Sequence, residues 1–188
     1  MKTRCPFAKE DDPIYIAYHD HEWGVPIHDD QKHFELLILE GFQAGLSWAL
    51  ILKKREAFRA AFHNFDPQKV AAMSDQELAA LEKNPAIIRN RRKIAGTRQN
   101  ATIFLEIQQE CGSFDSYVWP FIGNKPKINH WKTAAEVPCT SMASDSLSID
   151  LKKRGMTFVG PKIIYSYMQA AGLINDHLTT CFCHPNNL

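Results

Sequence analysis

A chain of 188 residues, 45% hydrophobic and 23% charged, carries enough apolar surface for a sizeable core, which excludes wholesale disorder and fibrous architectures. Its formal net charge of +1 offers no bulk attraction for nucleic acid. Residues Met1 to Pro6 lack the apolar stretch of a signal peptide, and no window approaches the roughly 18 apolar residues of a membrane span, so a cytoplasmic protein is expected.

Apolar residues recur at three- and four-residue spacings while alternating patterns are scarce, so the predicted fold is all-α. Its expected organisation is one domain over 1–188, formed by two tightly docked helical lobes and monomeric. Phe34, Leu37, Ile38 and Gly41 lie on one stripe, and Trp48, Ile51, Leu52, Phe58 and Phe62 on a second, which predicts two helices separated by 43–47. Asp66-Pro67 reads as an N-cap followed by proline at the first helical position, and Ser74 with Glu77 as a capping box. A longer helix is predicted from Ile88, or slightly later, to Gln109, with Gly112 ending it. The stretch 123–138, rich in Lys, Asn and Pro, reads as a surface connection. Ser144 is predicted to cap a helix through Leu147 and Leu151 that stops near Gly155, and Gly160-Pro161 opens a last helix broken at Gly172.

Three basic clusters, Lys53-Lys54-Arg55, Arg89 with Arg91-Arg92-Lys93, and Lys152-Lys153-Arg154, could each bind phosphate, and each reads equally as a solvated helix end. Five cysteines, an odd number, argue against a complete disulfide framework. His177 and Cys181 would share one face if their segment made a helical turn, and Cys5 and His19 supply a second thiolate and imidazole, completing a Cys₂His₂ set suited to tetrahedral zinc. His21, Cys183 and His184 compete for the same role, and buried free thiols with surface histidines are the plain alternative.

Tyr15, Tyr18, Trp23 and Trp48 flank Glu40, a carboxyl late in an otherwise apolar helix. Glu40 reads as a solvated helix end with the rings as core, or as a ligand site in which rings stack a planar cation and the carboxylate accepts its N–H groups. A purine methylated at N3 is such a cation, and base flipping would bring it into the pocket.

The blocks 15–20, 22–26, 39–41 and 43–48, with Ser141, 143–145, 158–160, 175–177 and Cys181, together resemble the bacterial 3-methyladenine DNA glycosylase I family. The resemblance covers essentially the whole chain. It implies a helix-hairpin-helix glycosylase fold whose termini are tied by a structural zinc ion on Cys5, His19, His177 and Cys181. It also implies a monofunctional enzyme that releases 3-methyladenine from alkylated double-stranded DNA with water as nucleophile, the first step of base excision repair. Glu40 would contact the base, Tyr15, Tyr18, Trp23 and Trp48 would line the pocket, and Gly45-Leu46 would fill the gap left by the flipped nucleotide. A hairpin near 84–93 would hold phosphates through Arg89, Asn90 and Lys93, although Pro85-Ala86 occupies a turn where glycine would reach positive φ most cheaply. Asp115 lies where the wider superfamily carries an aspartate and is read here first as a helix cap.

Overall fold

The computed structural model describes residues 2–8 and 11–187. Among them, helices α1 (Pro13–His21), α2 (Asp30–Gln43), α3 (Trp48–Ala61), α4 (Pro67–Ala71), α5 (Asp75–Leu81), α6 (Arg91–Cys111), α7 (Phe114–Val118), α8 (Met142–Lys153) and α9 (Pro161–Ala170) surround one contiguous apolar core. Phe42 and Phe58 sit with ring centroids 4.6 Å apart, and Phe104 stacks on Phe114 at 4.2 Å, joining α2 to α3 and α6 to α7.

Local chemistry sets the helix starts. Ser47 accepts the Leu50 N–H, Asp66 accepts those of Gln68 and Lys69 ahead of Pro67, and Ser74 with Glu77 forms the expected reciprocal box. Helix α6 begins at Arg91, where the Asn90 side chain accepts the Lys93 N–H, and runs two residues past the expected end before Gly112 at φ +84° stops it.

Some expectations are corrected. The cap of α8 is Ser141, three residues before Ser144, because Ser141 is extended and its side chain accepts the Ser144 N–H while Ser144 Oγ accepts the Ser141 N–H at 2.7 Å. Asp115 does not cap α7. Ser113 does, and the Asp30 carboxylate accepts the backbone N–H groups of Phe114 and Asp115. Two helices were not predicted: α1, which carries the same Asp-Pro start at Asp12-Pro13, and α7, too short to show a period.

The all-α expectation gives way to a mostly helical fold with one small ladder. Strand β1 (Lys127–Ile128), inside the expected surface connection, pairs in parallel with β2 (Ile174–Asn175). The connection needs partners for its backbone, and it finds them where the Lys127 N–H donates to Leu173 O and the Asn129 N–H to Asn175 O. Asp176, 1% exposed, fastens this seam: Oδ1 accepts from Asn129 Nδ2 and Trp131 Nε1, and Oδ2 from the Tyr165 hydroxyl and Gln169 Nε2, all at 2.7 Å. Gly172, at φ +68°, makes the preceding turn possible, since a Cβ there would lie 2.1 Å from the Val25 carbonyl carbon. The result presses 24–26 against the end of α9 and brings the C-terminal segment back to the N-terminal one.

Candidate active site and terminal metal centre

Helix α1 presents Tyr15 and Tyr18, α2 presents Glu40 and Gln43, and the start of α3 presents Trp48 to one cavity of about 410 Å³. Trp23 and Phe7 close the inner side, and Lys162, Tyr165 and Gln169 of α9 with Val137, Pro138 and Cys139 form the outer wall. The Tyr18 and Trp48 rings lie 5.5 Å apart and tilted, Tyr15 meets Tyr18 edge-on at 6.2 Å, and Phe7 meets Trp23 edge-on at 4.8 Å. The three helices are tied behind the site by Arg55, whose guanidinium donates to Glu35 and to Glu22, each at 2.6 Å.

Glu40 is 4% exposed, and no hydrogen bond reaches its carboxyl among the described residues. Desolvation alone pushes its pKa from 4.5 up to about 8. Burial, then the nearby Glu40 charge, raises Tyr15 to about 12, and the same causes raise Tyr18, so both phenols stay neutral. A planar group entering this cavity meets ring faces on several sides and a carboxyl with unused acceptor sites. A cation is favoured twice, by the rings and by the carboxylate that its charge would restore.

Beside the cavity, Cys5, His19, His177 and Cys181 are all buried, with ligand atoms within 4.8 Å of one another. Cys181 Sγ lies 3.4 Å from both His19 Nε2 and His177 Nδ1, and Cys5 Sγ lies 3.6 Å from His177 Nδ1. A tetrahedral ion with metal–sulfur bonds of about 2.3 Å and metal–nitrogen bonds of about 2.05 Å requires sulfur–nitrogen edges of about 3.6 Å. The donor set therefore fits such an ion. Both imidazoles are also oriented for it: Asp20 Oδ1 holds His19 Nδ1 at 2.8 Å, and the Trp23 carbonyl holds His177 Nε2 at 2.9 Å, which leaves the opposite nitrogens facing the cluster. Arg4 holds Asp20 in turn through bonds of 2.9 and 2.8 Å.

His177 and Cys181 converge through a turn in which the Cys181 N–H donates to Leu178 O, in place of the helical turn first considered. Of the competing residues, His21 and His184 point elsewhere, while Cys183 lies beside the cluster, within 4.8 Å of ligand atoms of His19 and Asp20. His21 is exposed, His184 Nε2 contacts Asn129 O, and Cys183 Sγ lies 4.0 Å from the Asp20 carbonyl.

The candidate nucleic-acid residues separate into two groups. Gly45, exposed at φ +81°, and half-buried Leu46 form the loop between α2 and α3, closed by Leu46 N–H to Gln43 O and Gln43 Nε2 to Leu46 O. Arg89 and Asn90 are exposed in the 82–90 hairpin between α5 and α6, with the Asn90 side chain spent on the α6 cap. The hairpin contains no positive φ, so Pro85-Ala86 is accommodated without the glycine that its turn suggested. Lys93 departs from its expected outward direction. Only 7% exposed, it donates to Phe42 O at 2.8 Å and Ala44 O at 2.7 Å, because the C-terminus of α2 leaves those carbonyls without helical partners.

Sequence reasoning missed Phe7, Gln43 and the whole outer wall of the cavity. Gln43 stood inside a quoted block, but the wall residues come from 137–139 and 162–169, joined to the rest only by long-range pairing.

A mostly helical frame that sets a ring-lined cavity with one buried carboxyl beside the 43–47 loop, with a hairpin between two helices, fits the class of DNA glycosylases. The chain matches the methyladenine glycosylase family over residues 8–184, and it belongs to that family. It is 50% identical to DNA-3-methyladenine glycosylase 1 of Escherichia coli (strain K12) over 184 residues, 98% of each chain. A crystal structure of 3-methyladenine DNA glycosylase I superposes with a TM-score of 0.94 at 50% identity, covering 97% of this chain and 100% of that one. A tyrosine-to-phenylalanine variant of such an enzyme, solved in complex with 3-methyladenine, superposes with a TM-score of 0.93 at 40% identity, covering 97% of both chains. No helix among the described residues is long and apolar enough to cross a membrane.

Proposed function

We propose that this protein is a monofunctional DNA-3-methyladenine glycosylase, which hydrolyses the N-glycosidic bond of the methylated base in alkylated duplex DNA and so begins base excision repair. The observation that carries this reading is Glu40, a buried carboxyl without a partner, among rings, in a cavity large enough for a purine. Methylation at N3 makes the base cationic, which strengthens stacking and charge attraction together. The glycosidic electron pair then leaves with the base, which departs neutral, while water adds to the sugar carbon and loses a proton. Glu40 selects and holds the cation, Tyr15, Tyr18, Trp23 and Trp48 supply its faces, and the cavity walls exclude bulk water. Gly45-Leu46 fills the gap in the stack, and the hairpin with Arg89 and the α6 N-terminus holds phosphates.

Release of free 3-methyladenine from methylated duplex DNA tests the activity, with a loss of about 100-fold expected in Glu40→Gln. Wild-type release by that variant would refute the role of Glu40. Lys162 brings an amine to the outer wall, so borohydride trapping tests the hydrolytic assignment. No covalent protein–DNA adduct is expected, and a stable one would replace hydrolysis by amine attack.

The terminal centre fits one structural Zn²⁺, held by Cys5 Sγ, His19 Nε2, His177 Nδ1 and Cys181 Sγ. The fit of the donor spacing and the two oriented imidazoles support this reading. Bound there, zinc supplies a closed four-coordinate crosslink with no position left for substrate. A stoichiometry of one zinc per chain by atomic emission is expected, and metal-free protein of undiminished thermal stability would exclude it.

A further inference from the structure

Lys93 is an expensive residue for its place. Its ammonium is buried, has no carboxylate partner among the described residues, and is held by two carbonyls of the 42–44 segment, with the Phe158 ring 5.8 Å away. An apolar side chain would fill the same space without desolvating a charge. Burial accordingly lowers the Lys93 pKa.

What the position gains is a link between two segments distant in sequence. Lys93 lies in the first turn of α6, where its own N–H closes the Asn90 cap directly after the hairpin. Its side chain reaches the carbonyls immediately before Gly45-Leu46. From the other direction, Lys54 of α3 donates to Pro85 O at 3.2 Å and Ala86 O at 2.8 Å, the tip of that hairpin. Each of the two loops is thus held through its carbonyls by a lysine from a helix flanking the other. Gly96 keeps α6 close to Phe158 on the same side, since a Cβ there would lie 2.5 Å from Thr157 Oγ1 and 3.5 Å from the Phe158 ring.

We propose that Lys93, with Lys54 opposite, is a positioning residue that couples the phosphate-holding hairpin to the 43–47 loop, so that docking on DNA fixes Leu46 where it enters the base stack. The inference rests on the proposed DNA-repair function. Neither lysine touches the base. Removing the coupling leaves the base cavity intact and spoils insertion into the duplex.

The test uses full-length protein and a duplex carrying an abasic-site analogue beside 2-aminopurine, whose fluorescence rises when its neighbour stack is opened. The wild type raises the signal. Lys93→Met is expected to cut the rise about tenfold, the scale of losing a charge-assisted bond pair, while free 3-methyladenine still binds within about twofold. Lys54→Met, at a half-buried position, is expected to cut the rise about threefold and decides the matter if Lys93→Met does not fold. A full rise in these variants, no rise in the wild type, or an equal loss of free-base binding would overturn the coupling. A wild-type protein that opens the stack yet releases no base would instead sink the glycosylase reading and leave the coupling standing.

Discussion

Replacing Glu40 by Gln should make the protein more stable in alkali and leave it nearly unchanged in acid. In the folded chain this carboxyl ionises at about 8, against 4.5 for the ordinary group. The folded state therefore holds the proton more tightly. The stability linked to that proton is fully present below pH 4.5, falls as pH rises towards 8, and is gone above it. Three and a half decades of proton affinity at about 1.4 kcal/mol each set a ceiling of about 5 kcal/mol. Water entering the open side of the cavity reduces this to an expected 2–3 kcal/mol or so, about 4–12 °C in Tm for a chain of this size. Glutamine keeps the shape and carries no titrating proton. Urea unfolding of both proteins from pH 4.5 to 9 measures the difference, and any pH effect on the terminal Cys/His cluster cancels because the two share it. A stability difference that stays flat across this range, or a variant weaker than wild type at pH 9, would refute the reasoning.

The same ionisation should shape catalysis: kcat/KM on methylated duplex rises with pH through a midpoint near 8, because the carboxylate is the form that pairs with the cationic base, and the rise disappears in Glu40→Gln. Under the proposed zinc assignment, treatment with chelator, or Cys181→Ser, is expected to lower Tm by about 10 °C or more before any activity is lost at low temperature, as read by calorimetry beside base release. Asp176→Ala strands four donors, from Asn129, Trp131, Tyr165 and Gln169, and should cost about 3–5 kcal/mol in urea unfolding. Ser141→Ala removes the cap of α8 and should cost about 1 kcal/mol in urea unfolding; an unchanged stability would refute the assignment of the cap to Ser141.

Local signals were legible in proportion to how locally their energy is stored. The Ser74–Glu77 box and the Asp66-Pro67 start satisfy backbone amides within one turn, so residue types alone revealed them. The stripes of α2 and α3 record the core directly. The inner cavity was readable because Tyr15, Tyr18, Glu40 and Trp48 all come from the first 48 residues, in blocks dense with aromatics. Lys93 misled because a lysine in a basic run resembles a solvated one, and only the approach of α6 to the end of α2 exposes its carbonyl partners. Asp176 sits unremarked between Asn175 and His177, and its four partners are between 7 and 47 residues away. The ladder of β1 and β2, two residues each, is too short to leave any alternation to read.

The contact of Cys5 with His177 spans 172 positions of chain. An ion bound there, as proposed, would close residues 5–177 into a ring, and a crosslink over so long a span would remove about 5 kcal/mol of conformational freedom from the unfolded ensemble. Such a ring would also hold these segments against fraying, so that Phe7 and Trp23, two walls of the binding chamber, would be kept in place by a link spanning 172 positions. A peptide tether joining the two ends would impose the same topological constraint without metal, so a circularised chain should keep its chamber closed in the presence of chelator, where the open chain begins to lose it.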